Sequence, residues 1–213
     1  MPAESIEPNK EMHFRTLDRV VDRFAEKYQG VFAKETIERV VYESYAALLR
    51  TATTNQQFVV ALAEKFSADR LRALFVSQDE ARREGPEILF VCVQNAGRSQ
   101  MAMAFMQELS GGKVSVLSAG SMPAAEINSK TLTVMQEVGI SLDGEFPKPL
   151  TDDVVRAADI VITMGCGDAC PLYPGKRYLD WELADPAELD LDGVRRIRDE
   201  IRTKVASLLA EIL

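Results

Sequence analysis

The stretch Cys92-Val93-Gln94-Asn95-Ala96-Gly97-Arg98-Ser99 sets a nucleophile, five intervening residues, an arginine and a serine in series. Five residues let the backbone curl so that the N–H groups of Val93, Gln94, Asn95, Ala96 and Gly97 converge on one tetrahedral anion. Arg98 adds a planar fork able to grip two of its oxygens. A helix beginning near Ser99 would add the positive end of its dipole. The same field favours the thiolate of Cys92, and Ser99 is spaced to hydrogen-bond it. Gly97 permits a close approach that a side chain would hinder. The competing reading is a buried cysteine at a strand end followed by an unrelated arginine.

Two more cysteines lie in Met164-Gly165-Cys166-Gly167-Asp168-Ala169-Cys170-Pro171. Thiols at this spacing can exchange as a redox pair, pack as small hydrophobes or ligate a metal. No third or fourth thiol and no histidine lies near them for zinc, and no metal site is expected. Gly165 and Gly167 would let the segment move, and Asp168 reads as a turn former. The sole histidine, His13, sits in the polar N-terminal stretch and reads as solvent-exposed, which removes a His-based triad or a multi-His metal site from consideration.

These groups need elements to hold them. Ile88-Leu89-Phe90-Val91 is a short apolar run of the kind a buried parallel strand shows, and it delivers the chain to Cys92. A helix is expected over Gln100 to Leu109, with Met101, Phe105 and Leu109 on one face. Val114 to Leu117 is strand-like, Thr131 to Val138 helical, Asp159 to Met164 a second buried strand, and Arg177 to Leu183 a fourth strand. The last helix carries Val194, Ile197, Ile201, Val205, Leu208 and Ile212 inward. Strands alternating with helices imply an α/β fold, a four-stranded parallel sheet covered on both faces. Loops after successive parallel strands gather on one edge, so Cys166 belongs to the edge that holds Cys92.

The first 80 residues have a different texture and read as a small all-α bundle. Leu17, Val20, Val21, Phe24 and Tyr28 form one apolar stripe, and Gly30 punctuates it. Ile37, Val40, Val41, Tyr45, Leu48 and Leu49 form a second stripe, and Phe58, Val59, Leu62 and Phe66 a third. Ser67 reads as an N-cap for a further helical stretch with Leu71, Leu74 and Phe75. The polar segment before Ile88, with Gly85-Pro86, reads as a linker over 81–87. The chemistry thus falls in 88–213. The bundle could pair two copies, dock a redox partner or brace the sheet; its stripes must be buried somewhere, and a homodimer is the expectation.

Composition narrows the partners. With 25 basic and 33 acidic residues the net charge is −8, which argues against a nucleic-acid binder and against an anionic membrane surface. No apolar run approaches the ~18 residues needed to span a bilayer, and the start Met1-Pro2-Ala3-Glu4-Ser5 lacks the basic and apolar parts of a signal peptide. A cytoplasmic location is expected, where thiols stay reduced. Three cysteines are too few, and odd in number, for a disulfide scaffold.

Cys92 to Ser99 resembles the phosphate loop of the low-molecular-weight protein tyrosine phosphatase superfamily, which includes related arsenate reductases. The resemblance extends from about Glu87 to Leu213 and implies a Rossmann-like parallel sheet. It also implies a late Asp-Pro bearing the general acid, matched by Asp185-Pro186. Asp180 is the rival acid, disfavoured because no proline follows it. Asn95 matches the asparagine that braces the loop, and Ser118 in Ser118-Ala119-Gly120 matches a strand end behind it.

A phosphatase completes its cycle with water and one cysteine. Reducing arsenate takes two electrons, which thiols must supply. The segment around Cys166 and Cys170 resembles the redox segment of thioredoxin-coupled arsenate reductases. The resemblance then implies that Cys92 attacks arsenate, Cys166 attacks Cys92 as arsenite leaves, Cys170 resolves the disulfide, and thioredoxin, an external reductant rather than a bound cofactor, restores the thiols. Departures are the short three-residue gap between Cys166 and Cys170, and Met103 where some members place a potassium-binding carboxylate. Ala187-Glu188-Leu189 follows the Asp-Pro, without the aromatic wall that grips a phenyl ring. A phosphatase on a small phosphoester, a non-catalytic oxyanion or arsenite sensor, and a mycothiol- or glutathione-coupled reductase are the alternatives. Trp181 reads as packing, and Arg195, Arg196, Arg198 and Arg202 as a solvated helix face.

Overall fold

The structure, a computed structural model, describes residues 7–51, 56–83, 85–165 and 170–213. The chain divides into two compact units, 1–75 and 76–213.

The first unit is built from α1 (Glu7–Lys27), α2 (Lys34–Thr51) and α3 (Gln56–Ser77). Its core follows the three expected stripes, with Leu17, Val20, Ile37, Val40, Val59 and Phe66 buried, except that Leu49 and Phe58, each at the edge of its stripe, are exposed. Two expectations are corrected. His13 is buried, and its Nδ1 lies 2.9 Å from the Tyr45 hydroxyl, so an edge-on aromatic neighbour and a hydrogen bond replace water. Ser67 does not cap a new helix. It lies inside α3 and donates its hydroxyl to the Ala63 carbonyl at 2.6 Å, satisfying a buried polar group without interrupting the helix. Arg70 is buried as well, tied to Ser44 at 3.1 Å and to Glu43 at 3.0 Å across α2.

The second unit holds β1 (Glu87–Cys92), α4 (Arg98–Ser110), β2 (Ser115–Gly120), α5 (Ser129–Glu137), α6 (Asp152–Ala157), β3 (Ile160–Met164), β4 (Arg177–Asp180) and α7 (Leu191–Ile212). The four strands are parallel, in the order β2-β1-β3-β4. The order reverses at β1, so the crevice beyond its carboxyl end is the place where such sheets bind ligands. Every residue of β1 is buried, which is why it reads as a continuous apolar run rather than an alternating one. Phe90 packs on Trp181, and Met101, Phe105, Val194, Ile197 and Ile201 belong to the same core.

The differences from the sequence reading have local causes. The helix α4 is buried on most sides from Arg98 to Met106, so no single stripe marks its start, and Leu109, expected to share a face with Met101 and Phe105, is exposed. The helix α6 was not anticipated; six residues are too few for periodicity, and its signal is Asp152 and Asp153 in the first turn, where acids favour the helix dipole. The strand β4 stops at Asp180, short of Leu183: Trp181 N–H makes the last bond to the Thr163 carbonyl, and the chain then leaves the sheet. A short 3-10 turn, Glu80–Arg82, occupies part of the polar segment before β1. The arginines of α7 are not a plain solvated face. Arg198 is buried and donates to the Val134 carbonyl at 2.9 Å, and Arg195 donates to both Glu137 oxygens at 2.9 and 2.6 Å, clamping α7 to α5.

Candidate active site

Cys92 ends β1, paired with Gly120 on one side and Met164 on the other. The next five residues turn tightly before α4. Asn95 adopts φ +49°, a left-handed conformation that asparagine tolerates better than most residues. The turn is held from outside. The carbonyls of Cys92, Val93, Gln94 and Ala96 accept from the N–H groups of Ser121, Met122, Ala124 and Asn128 at 2.8–3.2 Å. Gly120 lies so close behind the loop that a Cβ there would sit 2.7 Å from the Val93 carbonyl oxygen. The backbone leaving β2 therefore shapes the loop more than the Ser118 side chain, whose buried hydroxyl makes no hydrogen bond in the structure.

Inside the loop a buried network surrounds the sulfur. Ser99 Oγ lies 3.0 Å from Cys92 Sγ, and the Asn95 backbone N–H donates to Sγ at 3.2 Å. Asn95 Nδ2 donates to Ser99 Oγ at 2.8 Å, which turns the serine proton toward the sulfur. Asn95 Oδ1 accepts from the Lys148 backbone N–H at 2.8 Å and from Gln100 Nε2 at 3.0 Å. Gln100 Nε2 also lies 3.1 Å from the Asn95 carbonyl and 3.0 Å from the Phe146 carbonyl. Sequence reasoning passed over Gln100, and the only signal was a polar residue in a helix otherwise rich in methionine and alanine.

Arg98 opens α4 behind an N-cap, Gly97, that makes no side-chain cap. Its Nη1 donates to the Leu183 carbonyl at 3.1 Å and its Nη2 to Asp185 Oδ2 at 3.0 Å. Asp185 also caps a short 3-10 turn, Pro186–Glu188, accepting from the Ala187 N–H at 2.9 Å. Cys92, Gln94, Gly97, Arg98, Asn128 and Asp185 line one small cavity. Asp180 is not in it; its carboxylate accepts from the Thr163 hydroxyl, and it lines a second cavity of about 540 Å³ together with Cys170, Pro171, Leu172 and Tyr178.

Of the residues singled out in the sequence, Cys92, Asn95, Arg98, Ser99 and Asp185 meet at one place. Cys170 is buried at the other cavity. Cys166 and Asp168 lie outside the described residues. Gly165, the last described residue before them, has φ +72°, and a Cβ there would lie 3.1 Å from Arg98 Nη1. The segment that bears Cys166 and Cys170 is thus entered from a residue set against the guanidinium. Met103 is buried in the core, and among the described residues no group of three or more His, Cys, Asp or Glu is placed to hold a metal ion.

Comparison with known proteins gives the family. Residues 87–213 match the family model for the low molecular weight phosphotyrosine protein phosphatase, and residues 17–75 match a protein-tyrosine-phosphatase-like N-terminal domain. The solved thioredoxin-dependent arsenate reductase of Corynebacterium glutamicum is 48% identical, with a TM-score of 0.86, over 94% of this chain and 98% of that one. A putative arsenate reductase of Halobacterium salinarum is 37% identical over 57% of this chain and 89% of its own length. A glutaredoxin arsenate reductase of Synechocystis is 33% identical over 59% of this chain and 98% of its own length. The chain belongs to the low molecular weight phosphotyrosine protein phosphatase family.

Proposed function

We propose that this member of the family reduces arsenate to arsenite through its three cysteines and is regenerated by thioredoxin. The observation that carries the reading is the pairing of Cys92 with Met164, which starts the segment bearing Cys166 and Cys170 beside the nucleophile. Arsenate enters the loop between the backbone N–H groups of residues 93–99 and the Arg98 fork. The Cys92 thiolate, supported by Ser99 and the Asn95 N–H, attacks arsenic. An arsenate oxygen leaves as water, with Asp185 supplying a proton.

Cys166 as thiolate then attacks the Cys92 sulfur. The electron pair of the sulfur–arsenic bond passes to arsenic, which leaves as arsenite, and a Cys92–Cys166 disulfide remains. Cys170 attacks Cys166, releasing Cys92 and forming Cys166–Cys170. A thioredoxin dithiol takes this disulfide and closes the cycle. Cys166 on this view carries oxidation from the cavity of Cys92 to that of Cys170. Thioredoxin is favoured over glutaredoxin or a low-molecular-weight thiol by the Corynebacterium relative, which matches nearly the whole chain. We read the enzyme as cytoplasmic and as a homodimer joined through its helical unit; a monomeric mass in sedimentation would overturn the latter. No described helix is long and apolar enough to cross a membrane.

The reading is tested by arsenate-dependent NADPH oxidation with thioredoxin and thioredoxin reductase. Steady turnover is expected for the wild type and its loss for Cys92→Ser, Cys166→Ser and Cys170→Ser. Aryl phosphate hydrolysis without arsenate-driven oxidation would instead make the protein a phosphatase.

A further inference from the structure

Asp185 stands on a segment that has left the sheet, and its placement in the cavity of Cys92 needs a support other than strand pairing. One end of α5 supplies it. Asn128, the N-cap of α5, donates its backbone N–H to the Ala96 carbonyl of the nucleophile loop at 2.9 Å. Its Oδ1 accepts from the Lys130 N–H at 2.8 Å, fixing the first turn. Lys130 then reaches the other way: its ammonium donates to the Leu189 carbonyl at 2.5 Å and the Ala187 carbonyl at 3.4 Å. Ala187 is the residue whose N–H fixes Asp185 Oδ1. The acid segment is also pressed on the nucleophile loop, since a Cβ on Gly97 would lie 2.8 Å from Pro186 Cγ.

We infer that Lys130 is a positioning residue, holding the Asp185 segment at the right height above Cys92 through the Ala187 and Leu189 carbonyls. The inference rests on the reading of Asp185 as the proton donor. Lys130 has no place in the cavity lining and does not grip the anion. Its ammonium suits the task because two carbonyls converge on it, and a charged donor makes stronger bonds than a neutral one. A neutral side chain of similar length would leave both carbonyls to water and let the segment lift. Misplacing a catalytic group by about 1 Å can cost ~10²-fold in rate.

The test is a double-mutant cycle on the first turnover, reading arsenite formed before any reductant is added. Lys130→Met is expected to slow it about tenfold, a part of the ~10²–10⁴-fold that a placed acid supplies. Lys130→Arg, which keeps the charged donor, should recover most of the rate. Affinity for inorganic phosphate, measured by calorimetry, should not fall in either, since Lys130 does not line the cavity and a lifted Asp185 competes less for Arg98. In an Asp185→Asn background Lys130→Met should have no further effect, because the group it positions is gone. An equal additional loss in that background, or a fall in phosphate affinity matching the fall in rate, would overturn the inference. Should the wild type form no arsenite, the reductase reading fails by itself, and the same cycle run on aryl phosphate hydrolysis still decides the role of Lys130.

Discussion

Arg98 and Asp185, 87 residues apart in sequence, share a 3.0 Å hydrogen bond from Nη2 to Oδ2. The proposed anion grip and the proposed proton donor are therefore partners of each other. An arriving oxyanion must compete with the carboxylate for one arm of the guanidinium. The other arm stays on the Leu183 carbonyl and keeps the fork in plane.

Asp185→Ala separates the two effects. Removing the competing carboxylate should tighten phosphate binding about threefold, as an ion pair whose carboxylate is half exposed, though its arginine is buried, contributes about 1 kcal/mol or less. The same change should slow the first turnover by ~10²-fold or more through loss of the acid. Calorimetry with phosphate and single-turnover kinetics should thus move in opposite directions.

Arg98→Lys keeps the charge and loses the fork. With only a point donor, the bond to Leu183 and the grip on a second oxygen cannot both be made. A fall of ~10²-fold in kcat/KM for arsenate is expected, comparable to losing one oxyanion donor. Steady-state kinetics check it.

Gln100→Leu removes the amide that joins Asn95 to Phe146. The Phe146 carbonyl and the left-handed Asn95 each lose one buried donor, and a loss of about 2 kcal/mol is expected from the broken hydrogen bonds. Urea unfolding measures it. Activity should fall as well, since Asn95 orients Ser99 toward the sulfur.

The α5–α7 clamp should respond to pH. The hydrogen bond from Arg195, with Arg198 nearby, holds the Glu137 carboxyl below its ordinary value of 4.5. A depressed carboxylate contributes stability above that ordinary value and loses it as pH falls through the lower folded one. Glu137→Gln should therefore be less stable than the wild type at neutral pH, with the gap closing under acid. Thermal unfolding across that range checks the sign.

How much was readable in the chain depended on how local the cause was. The candidate anion loop was legible from Cys92 to Ser99 because the groups it brings together lie in consecutive residues. The parallel sheet was legible because buried strands read as apolar runs. The supports were not. Gln100 and Lys130 act on residues 46 and 57–59 positions away, and nothing in their own neighbourhood announces a carbonyl to be met. His13 read as exposed because its partner, Tyr45, stands on another helix. The family resemblance supplied Asp185, since one Asp-Pro has no chemistry of its own until Arg98 is placed beside it.

On the proposed mechanism, electron transfer to arsenic runs from Cys166 by way of Cys92. It is tested most directly by counting arsenite released per chain from pre-reduced protein without external reductant. About one equivalent is expected from the wild type and from Cys170→Ser, whose product should carry a Cys92–Cys166 disulfide by mass spectrometry; two-electron exchange permits no more. Cys166→Ser should release none. Arsenite from Cys166→Ser equal to the wild type would contradict the relay.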